Sequence, residues 1–201
     1  TKKIELFFDK IRVAQIPINI LAENAPIYDR KFKKTKLPQK IKFNKDDLKK
    51  FKLTDVLKKI LSSPNISSKE WIWEQYDQTV MGDTVEKPGS DSGIVRIHGS
   101  SKAVATSVDS SAIYCYAHPL TGGKQVVCEN WRNLISCGSK PIAITNCLNF
   151  GNPEKEENMG EFVECVEGIN EASKFLDYPV VSGNVSFYNE TKDKGIKPTP
   201  T

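Results

Sequence analysis

The sequence predicts an α+β fold, an α/β sandwich in which a mixed β-sheet is covered by helices on one face, and three observations point to it. GIVRIHG (93–99) alternates as a half-buried strand does, with Ile94, Arg96 and His98 on one face and Val95 and Ile97 on the other. Two longer stretches, near 124–137 and 159–176, carry apolar residues at the spacing of helices lying on a sheet. The order of these pieces, strands, helix, strand, helix, strand, is that of a two-layer domain.

Taken from the start, residues 1–30 predict two short strands, Ile4–Phe8 and Arg12–Ile18. The turn-prone AENAPIYDR follows, where Pro26 forces Ala25 out of the helical region. So small a piece makes no core alone and reads as the tail of a preceding structure. Residues 31–66 read as a basic connector with short helices: Asn44 caps KDDLKKF, Thr54 caps DVLKKILSS, and Pro64 ends the second. The main domain, 67–201, opens at Ser67, which forms a capping-box pattern with Glu70. Trp71, Trp73 and Tyr76 read as packing aromatics. After Gly89, GIVRIHG, KAVATSVD and AIYCYAHP are β-prone. A helix from about Lys124 to Cys137 places Val127, Trp131, Leu134 and Ile135 on one stripe, and KPIAITNCLNF is a buried strand with polar residues at its far end. The second helix, Met159–Leu176, sets Met159, Phe162, Val163, Val166 and Ile169 on one side, before the last strand, YPVVSGNVSFYNE.

Composition excludes several classes of function. No apolar stretch reaches the roughly 20 residues that cross a bilayer, and the start lacks the apolar core of a secretory signal. A soluble cytoplasmic protein with no membrane partner is expected. Five cysteines, Cys115, Cys128, Cys137, Cys147 and Cys165, without CxxC spacing argue against a disulfide framework or a zinc site and read as buried free thiols. The net charge of +4 hides an asymmetry: residues 1–60 hold 17 Lys and Arg against 7 Asp and Glu, and residues 61–201 hold 12 against 18. The run KFKKTKLPQKIKFNK, with seven lysines, is either a polyanion contact or a solvated arm. It lacks the arginine and aromatic interleaving of base-stacking surfaces, so no nucleic-acid partner is expected.

Three clusters of small and polar residues fall at the ends of the predicted elements: VDSSAIY with LTGGKQ, then TNCLNFGNPE, then SGNVSFYNE. TGGK (121–124) opens a helix and is either an anion cradle, with free N–H groups and the Lys124 charge, or an ordinary glycine turn. Asn149, Gly151, Asn152 and Pro153 have turn composition. Within SGNVS, Gly183 permits close backbone approach, Asn184 offers an amide oxygen suited to a hard cation such as Mg²⁺, and Ser186 points to the same strand face. The alternative there is a β-bulge at Gly183 whose neighbours only satisfy the backbone. Neither His98 nor His118 has an acid–base partner in sequence, and no nucleophile elbow, HExxH or GxGxxG is present.

The segments SPNISSKEWIWEQYD, HPLTGGKQVVCENWRN, KPIAITNCLNFGNPEK and PVVSGNVSFYNET, with the APIYDR connector, together resemble the large subunit of phosphoribosylformylglycinamidine synthase over nearly the whole chain. The resemblance implies two homologous halves, each like aminoimidazole ribonucleotide synthetase. Residues 1–30 would be the tail of the first half, 31–66 a connector, and 67–201 the N-terminal domain of the second half, which the family continues beyond IKPTPT. It implies part of a purine-biosynthesis ligase that converts formylglycinamide ribonucleotide to formylglycinamidine ribonucleotide. ATP, Mg²⁺ and ammonia from a glutaminase subunit or domain are consumed or used, alongside the remaining domains of the same subunit. By resemblance Gly183 is a nucleotide contact, Asn184 a Mg²⁺ ligand and Ser186 a substrate contact, while Asp109, Gly122, Gly123 and Lys124 line the nucleotide side. Asn146 stands where the family motif has an aspartate touching nucleotide, keeping an accepting oxygen without its charge. His118 likewise replaces an aspartate. No catalytic residue is expected in this chain, because the general-base histidine belongs to the other half. The alternative implied is a non-catalytic, nucleotide-holding module of the same enzyme, or a degenerate remnant.

Overall fold

The computed structural model describes residues 2–38, 42 and 44–201; within the lysine run, Gln39, Lys40, Ile41 and Phe43 lie outside the described residues. Two compact units are formed, Thr1–Lys31 and Phe32–Thr201. In the first, β1 (Lys3–Phe8) pairs antiparallel with β2 (Ile11–Pro17). Asp9 and Lys10 both take positive φ, 46° and 65°, the two-residue turn whose twist matches the strands. Arg12 Nη1 meets Glu5 Oε1 at 2.8 Å across the pair, and α1 (Ile18–Ala22) follows. No residue of these three elements is buried, since a hairpin without a second layer has nothing to pack on.

The second unit begins with α2 (Lys45–Leu48), capped by Asn44, whose Oδ1 accepts the Asp46 N–H at 3.0 Å. α3 (Leu53–Leu61) starts earlier than the sequence predicts. The Lys52 carbonyl accepts from both Asp55 and Val56, which leaves Thr54 inside the first turn rather than at the cap. At α4 (Glu70–Trp73) it is Ser68 that accepts the Glu70 N–H, at 3.2 Å, while the Ser67 hydroxyl turns back to the Pro64 carbonyl. The packing role expected of Trp71 and Tyr76 is not met, because they are 67% and 66% exposed. Trp73 is half-buried and lies against Gly89.

β3 (Thr84–Glu86), β4 (Gly93–Arg96) and β5 (Ala103–Thr106) form an antiparallel sheet. AIYCYA, expected as a strand, is the helix α5 (Ala112–Ala117). Its β-prone side chains yield to tertiary packing: Cys115 is fully buried, with its main chain against Gly122 of the next helix. That helix, α6 (Pro119–Ser136), starts five residues before the expected Lys124. Pro119 at its first position has a pre-set φ, and His118 Nδ1 caps the Thr121 N–H at 3.4 Å.

β6 (Ile144–Asn149), α7 (Glu156–Phe175) and β7 (Val180–Ser186) form a β–α–β unit. β8 (Glu190–Thr191) and β9 (Lys194–Gly195) make a small hairpin, and β10 (Thr199–Pro200) returns beside β6. The sheet order is β10-β6-β7, parallel between β6 and β7 and antiparallel between β10 and β6. The α+β class and the mixed sheet are as expected, but β3–β5 form a separate sheet. Val126, Val127 and Leu134 of α6 and Ile169 and Ala172 of α7 pack with Ile144 and Leu148 of β6 to make the core. Phe162 stands edge-on to both Phe150 and Phe187, with centroids 5.2 and 5.0 Å away. Cys115 and Cys165 are buried as expected, whereas Cys128, Cys137 and Cys147 are only half-buried.

Candidate functional site

The pairing of β6 with β7 sets the geometry. Asn146 lies opposite Gly183, Cys147 opposite Asn184, and Asn149 opposite Ser186. Side chains alternate along each strand, so Ile144, Asn146 and Leu148 share the helix-covered face with Gly183. Asn184 and Ser186 share the other face, as the sequence predicts, but Asn146 does not join them there.

Gly183 is in regular register. The irregularity falls at Val181, because Ile144 pairs with Val180 and Thr145 with Ser182, so the bulge considered for Gly183 sits two residues earlier. The glycine is required for another reason: the Asn146 side chain lies across it. A Cβ at Gly183 would run into Asn146 Oδ1 and come within 2.6 Å of the Asn146 carbonyl oxygen.

A cavity of about 450 Å³ has Asp109, Asn130, Thr145, Asn146, Tyr178 and Asn184 among its lining residues. Among the described residues neither the Asn146 nor the Asn184 carboxamide has a hydrogen-bond partner. Two amides without partners beside a cavity are groups available to a ligand. The rest of the motif is occupied. Asn189 Nδ2 donates to the Phe150 carbonyl at 3.0 Å, to the Ser186 carbonyl at 2.8 Å and to Ser186 Oγ at 3.1 Å. GNPE is a built turn: Asn152 Oδ1 accepts the Glu154 N–H at 2.8 Å, and Glu190 holds Lys155 Nζ at 3.0 Å. The Lys155 ammonium and then the Asn152 N–H hold the Glu190 carboxyl below its ordinary range.

Asp109 is fastened at the rim of the cavity. Its Oδ2 accepts from Ser107 Oγ at 2.7 Å and Asn130 Nδ2 at 2.9 Å, and its Oδ1 from Asn133 Nδ2 at 2.6 Å. The Tyr178 hydroxyl donates to Asn130 Oδ1 at 2.7 Å; burial first, then the Asp109 charge, pushes that phenol up. Sequence reasoning missed Asn130, Asn133 and Tyr178. The signal was present in ENWRN, whose two asparagines three residues apart share a helix face.

Gly122, Gly123 and Lys124 do not join this cluster, and the two glycines of TGGK, left open between cradle and turn, are packed inside α6. With the helix starting at Pro119, the Gly122 N–H is already spent on the His118 carbonyl at 2.7 Å. Both glycines are buried, Gly122 against the Cys115 main chain and Gly123 against the Cys165 carbonyl. Lys124 Nζ pairs with Glu171 at 2.5 Å. His98 lies in the exposed turn after β4, which ends at Arg96 rather than running on through His98, and its Nε2 is 2.7 Å from Asp83 Oδ1, which Arg96 Nε also reaches at 3.0 Å. The Arg96 hydrogen bond, ahead of that from His98, holds the Asp83 carboxyl low.

No group of three or more His, Cys, Asp or Glu suited to a metal occurs among the described residues. With the Asp109 carboxylate engaged by Ser107, Asn130 and Asn133, the amide oxygens left without partners at the cavity fit Mg²⁺ as single ligands completed by phosphate oxygens rather than as a self-sufficient cage. No helix among the described residues is long and apolar enough to cross a membrane.

Residues 89–201 match the AIR synthase related protein, N-terminal domain. The phosphoribosylformylglycinamidine synthase subunit PurL of Pelagibacter ubique (strain HTCC1062) is 70% identical over 200 residues, which is 100% of this chain and 27% of that relative. The chain thus spans about a quarter of the length of the curated relatives it matches. PurLQS from Thermotoga maritima superposes over 100% of this chain and 30% of its own, with a TM-score of 0.75 at 27% identity. PurL of the same organism complexed with ATP superposes over 100% and 30%, with a TM-score of 0.69 at 26% identity. With the domain matched over residues 89–201, more than half of the chain, on the β6–α7–β7 frame described above, this chain belongs to the AIR synthase related family.

Proposed function

We propose that this chain is one part of a cytoplasmic purine-biosynthesis ligase that converts formylglycinamide ribonucleotide to formylglycinamidine ribonucleotide. ATP, Mg²⁺ and ammonia from a glutaminase partner take part, together with the remaining domains of the same subunit. The observation that carries this reading is the pair of partnerless carboxamides flanking Gly183 beside the cavity, in a chain similar to a subunit whose structure is described with ATP. Free thiols at all five cysteines fit a reducing compartment.

Each residue has a part in this proposal. Gly183 and Asn146 contact the nucleotide, Gly183 through its bare backbone and Asn146 through an uncharged amide. Asn184 supplies one oxygen to Mg²⁺, whose remaining ligands come from polyphosphate and water; the bound ion spreads phosphoryl charge. Ser186, on the same face as Asn184, faces the substrate. Asp109, anchored by Asn130 and Asn133, holds the rim in place. By domain, residues 1–30 are the tail of a preceding half, 31–66 the connector and 67–201 the nucleotide-holding domain.

The test is Asn184→Ala in the full subunit carrying this sequence. Because Asn184 makes no internal bond, the fold should be unaffected, and Mg·ATP affinity should fall about tenfold or more, the loss expected of one charge-assisted contact. Wild-type affinity and turnover in that variant would reject the proposal. A second reading, a module that retains an unhydrolysed nucleotide, is favoured by the neutral Asn146 on the helix-covered face. Labelled ADP trapped in the subunit separates the two: retention through many turnovers supports the holding module, and exchange at the turnover rate supports catalysis.

A further inference from the structure

Tyr178 lies in the turn between α7 and β7, 2% exposed and with its ring in the core. The main chain there is pinned: the Tyr178 N–H donates to the Ser173 carbonyl at 2.9 Å, and the Pro179 carbonyl accepts the Ile144 N–H at 2.8 Å. From this fixed base the Tyr178 hydroxyl reaches Asn130 of α6, 48 residues away in sequence. Counting donors and acceptors shows what it does there. The two hydrogens of Asn130 Nδ2 go to the Ser107 carbonyl at 3.0 Å and to Asp109 Oδ2 at 2.9 Å. Neither partner can donate, so turning the carboxamide end for end would set Asn130 Oδ1 against a carboxylate oxygen. Oδ1 therefore faces the other way, where the Tyr178 hydroxyl donates to it at 2.7 Å. Asp109 is left asymmetric: Oδ2 accepts from Ser107 and Asn130, whereas Oδ1 accepts from Asn133 alone. A carboxylate has about four acceptor positions, so the one still open is at Oδ1, on a residue that lines the 450 Å³ cavity.

We propose that Tyr178 and Asn130 are positioning residues for nucleotide binding: their relay fixes the plane of the Asp109 carboxylate, so that Oδ1 accepts an O–H or N–H donor of the bound nucleotide. The proposal rests on the nucleotide-binding reading above and adds to it two residues outside the GNVS and CLNFG motifs. Without the Tyr178 hydroxyl, Asn130 Oδ1 is a half-buried acceptor with no partner. Swinging the carboxamide toward water relieves that cost and withdraws Nδ2 from Asp109. The carboxylate then keeps Ser107 and Asn133 but loses the bond that sets its plane against α6. The relay also ties the segment after β5, which carries Asp109, to the turn that leads into β7, which carries Asn184. Two groups that line one cavity are thereby held in register by a tyrosine that is itself sealed in the core.

The experiment uses the full subunit carrying this sequence and reads Mg·ATP affinity by calorimetry, steady-state kinetics and melting temperature on each variant. Tyr178→Phe keeps the ring and should weaken Mg·ATP about fivefold, with KM raised to match and kcat at saturation unchanged. A merely structural hydroxyl would lower the melting temperature and leave affinity alone. Asp109→Asn should weaken binding at least as much, and adding Tyr178→Phe to it should cost no further affinity. Asn130→Ala breaks the same relay from α6 and carries the test if Tyr178→Phe fails to fold. The donor is named by the analogue that wild type and Asp109→Asn bind alike: 2′- or 3′-deoxy-ATP for a ribose hydroxyl, inosine triphosphate for the base amino group. Unchanged affinity in the relay variants, additive losses in the double variant, or full Asp109 dependence with every analogue would each overturn the proposal. Loss of affinity in Asn184→Ala but not in Tyr178→Phe sinks the relay alone; retention in both sinks the nucleotide-binding reading with it.

Discussion

Gly183 and Asn184 are neighbours with opposite physical duties, and substitution separates them. At Gly183 even a methyl group meets the Asn146 side chain and its carbonyl oxygen, and the carbonyl cannot swing away as a side chain can. Gly183→Ala should therefore force β6 and β7 apart and cost about 1–3 kcal/mol, the usual range for overpacking, read as a lowered melting temperature. Asn184 faces away from the core and bonds to nothing, so Asn184→Ala should shift stability by less than about 0.5 kcal/mol. The same pair explains what was readable from residues alone. A glycine followed by an amide at a strand end marks close approach in any register. Which group makes the approach, the Asn146 side chain rather than a bulged backbone, depends on a strand thirty-odd residues away.

Among the elements, α7 packs against α6 along its length, and its first turns meet the lysine segment. The main chain of Lys33 crosses α7 at Gly160, where a Cβ would strike the Lys33 carbonyl, and Lys33 Nζ pairs with Glu156 at 2.9 Å. Beside this crossing Lys34, Thr35, Lys36, Glu157 and Glu161 line a cavity of about 400 Å³. Burial, with the Glu164 charge in second place, pushes the Glu161 carboxyl from 4.5 up to about 7. A carboxyl whose folded value is raised binds its proton more tightly in the folded state. Its contribution is therefore complete below pH 4.5 and lost as pH rises through about 7. Melting temperature should fall between those limits, and Glu161→Gln should flatten the slope there; an unchanged slope would show that Glu161 does not titrate in this window. Helix spacing alone located α6 and α7 to within a few residues, because their apolar stripes run for several turns. The six residues of α5 carried too little periodicity to outweigh their β-prone Ile, Tyr and Cys, and tertiary packing, with Cys115 against Gly122 of α6, accompanies their helical form.

At the scale of the whole molecule, a large share of apolar surface in the second unit has no cover. Val181 and Val185 on β7, Val95 on β4, Val104 on β5, and Leu57 and Ile60 on α3 are all exposed. β7 is also a sheet edge, with one side of its backbone ladder open. A chain that spans 27% of its relative's length and shows such faces should bind a hydrophobic dye and self-associate as concentration rises. Sedimentation velocity over a concentration series checks this; a monomer at every concentration, with no dye bound, would contradict it. The described ion pairs of the lysine run, Lys33 with Glu156 and Glu157, are exposed ones of small worth.

The sequence by itself determined the α+β class, the two long helices, the family and the GNVS motif, because each depends on local periodicity or on residues adjacent in the chain. Only the tertiary structure decided that Asn146 and Asn184 lie on opposite faces of one sheet, that TGGK is helix packing rather than an anion cradle, and that Asn130, Asn133 and Tyr178 hold Asp109. Those outcomes turn on strand register and helix start, which are set by long-range contacts that no short window of residues contains.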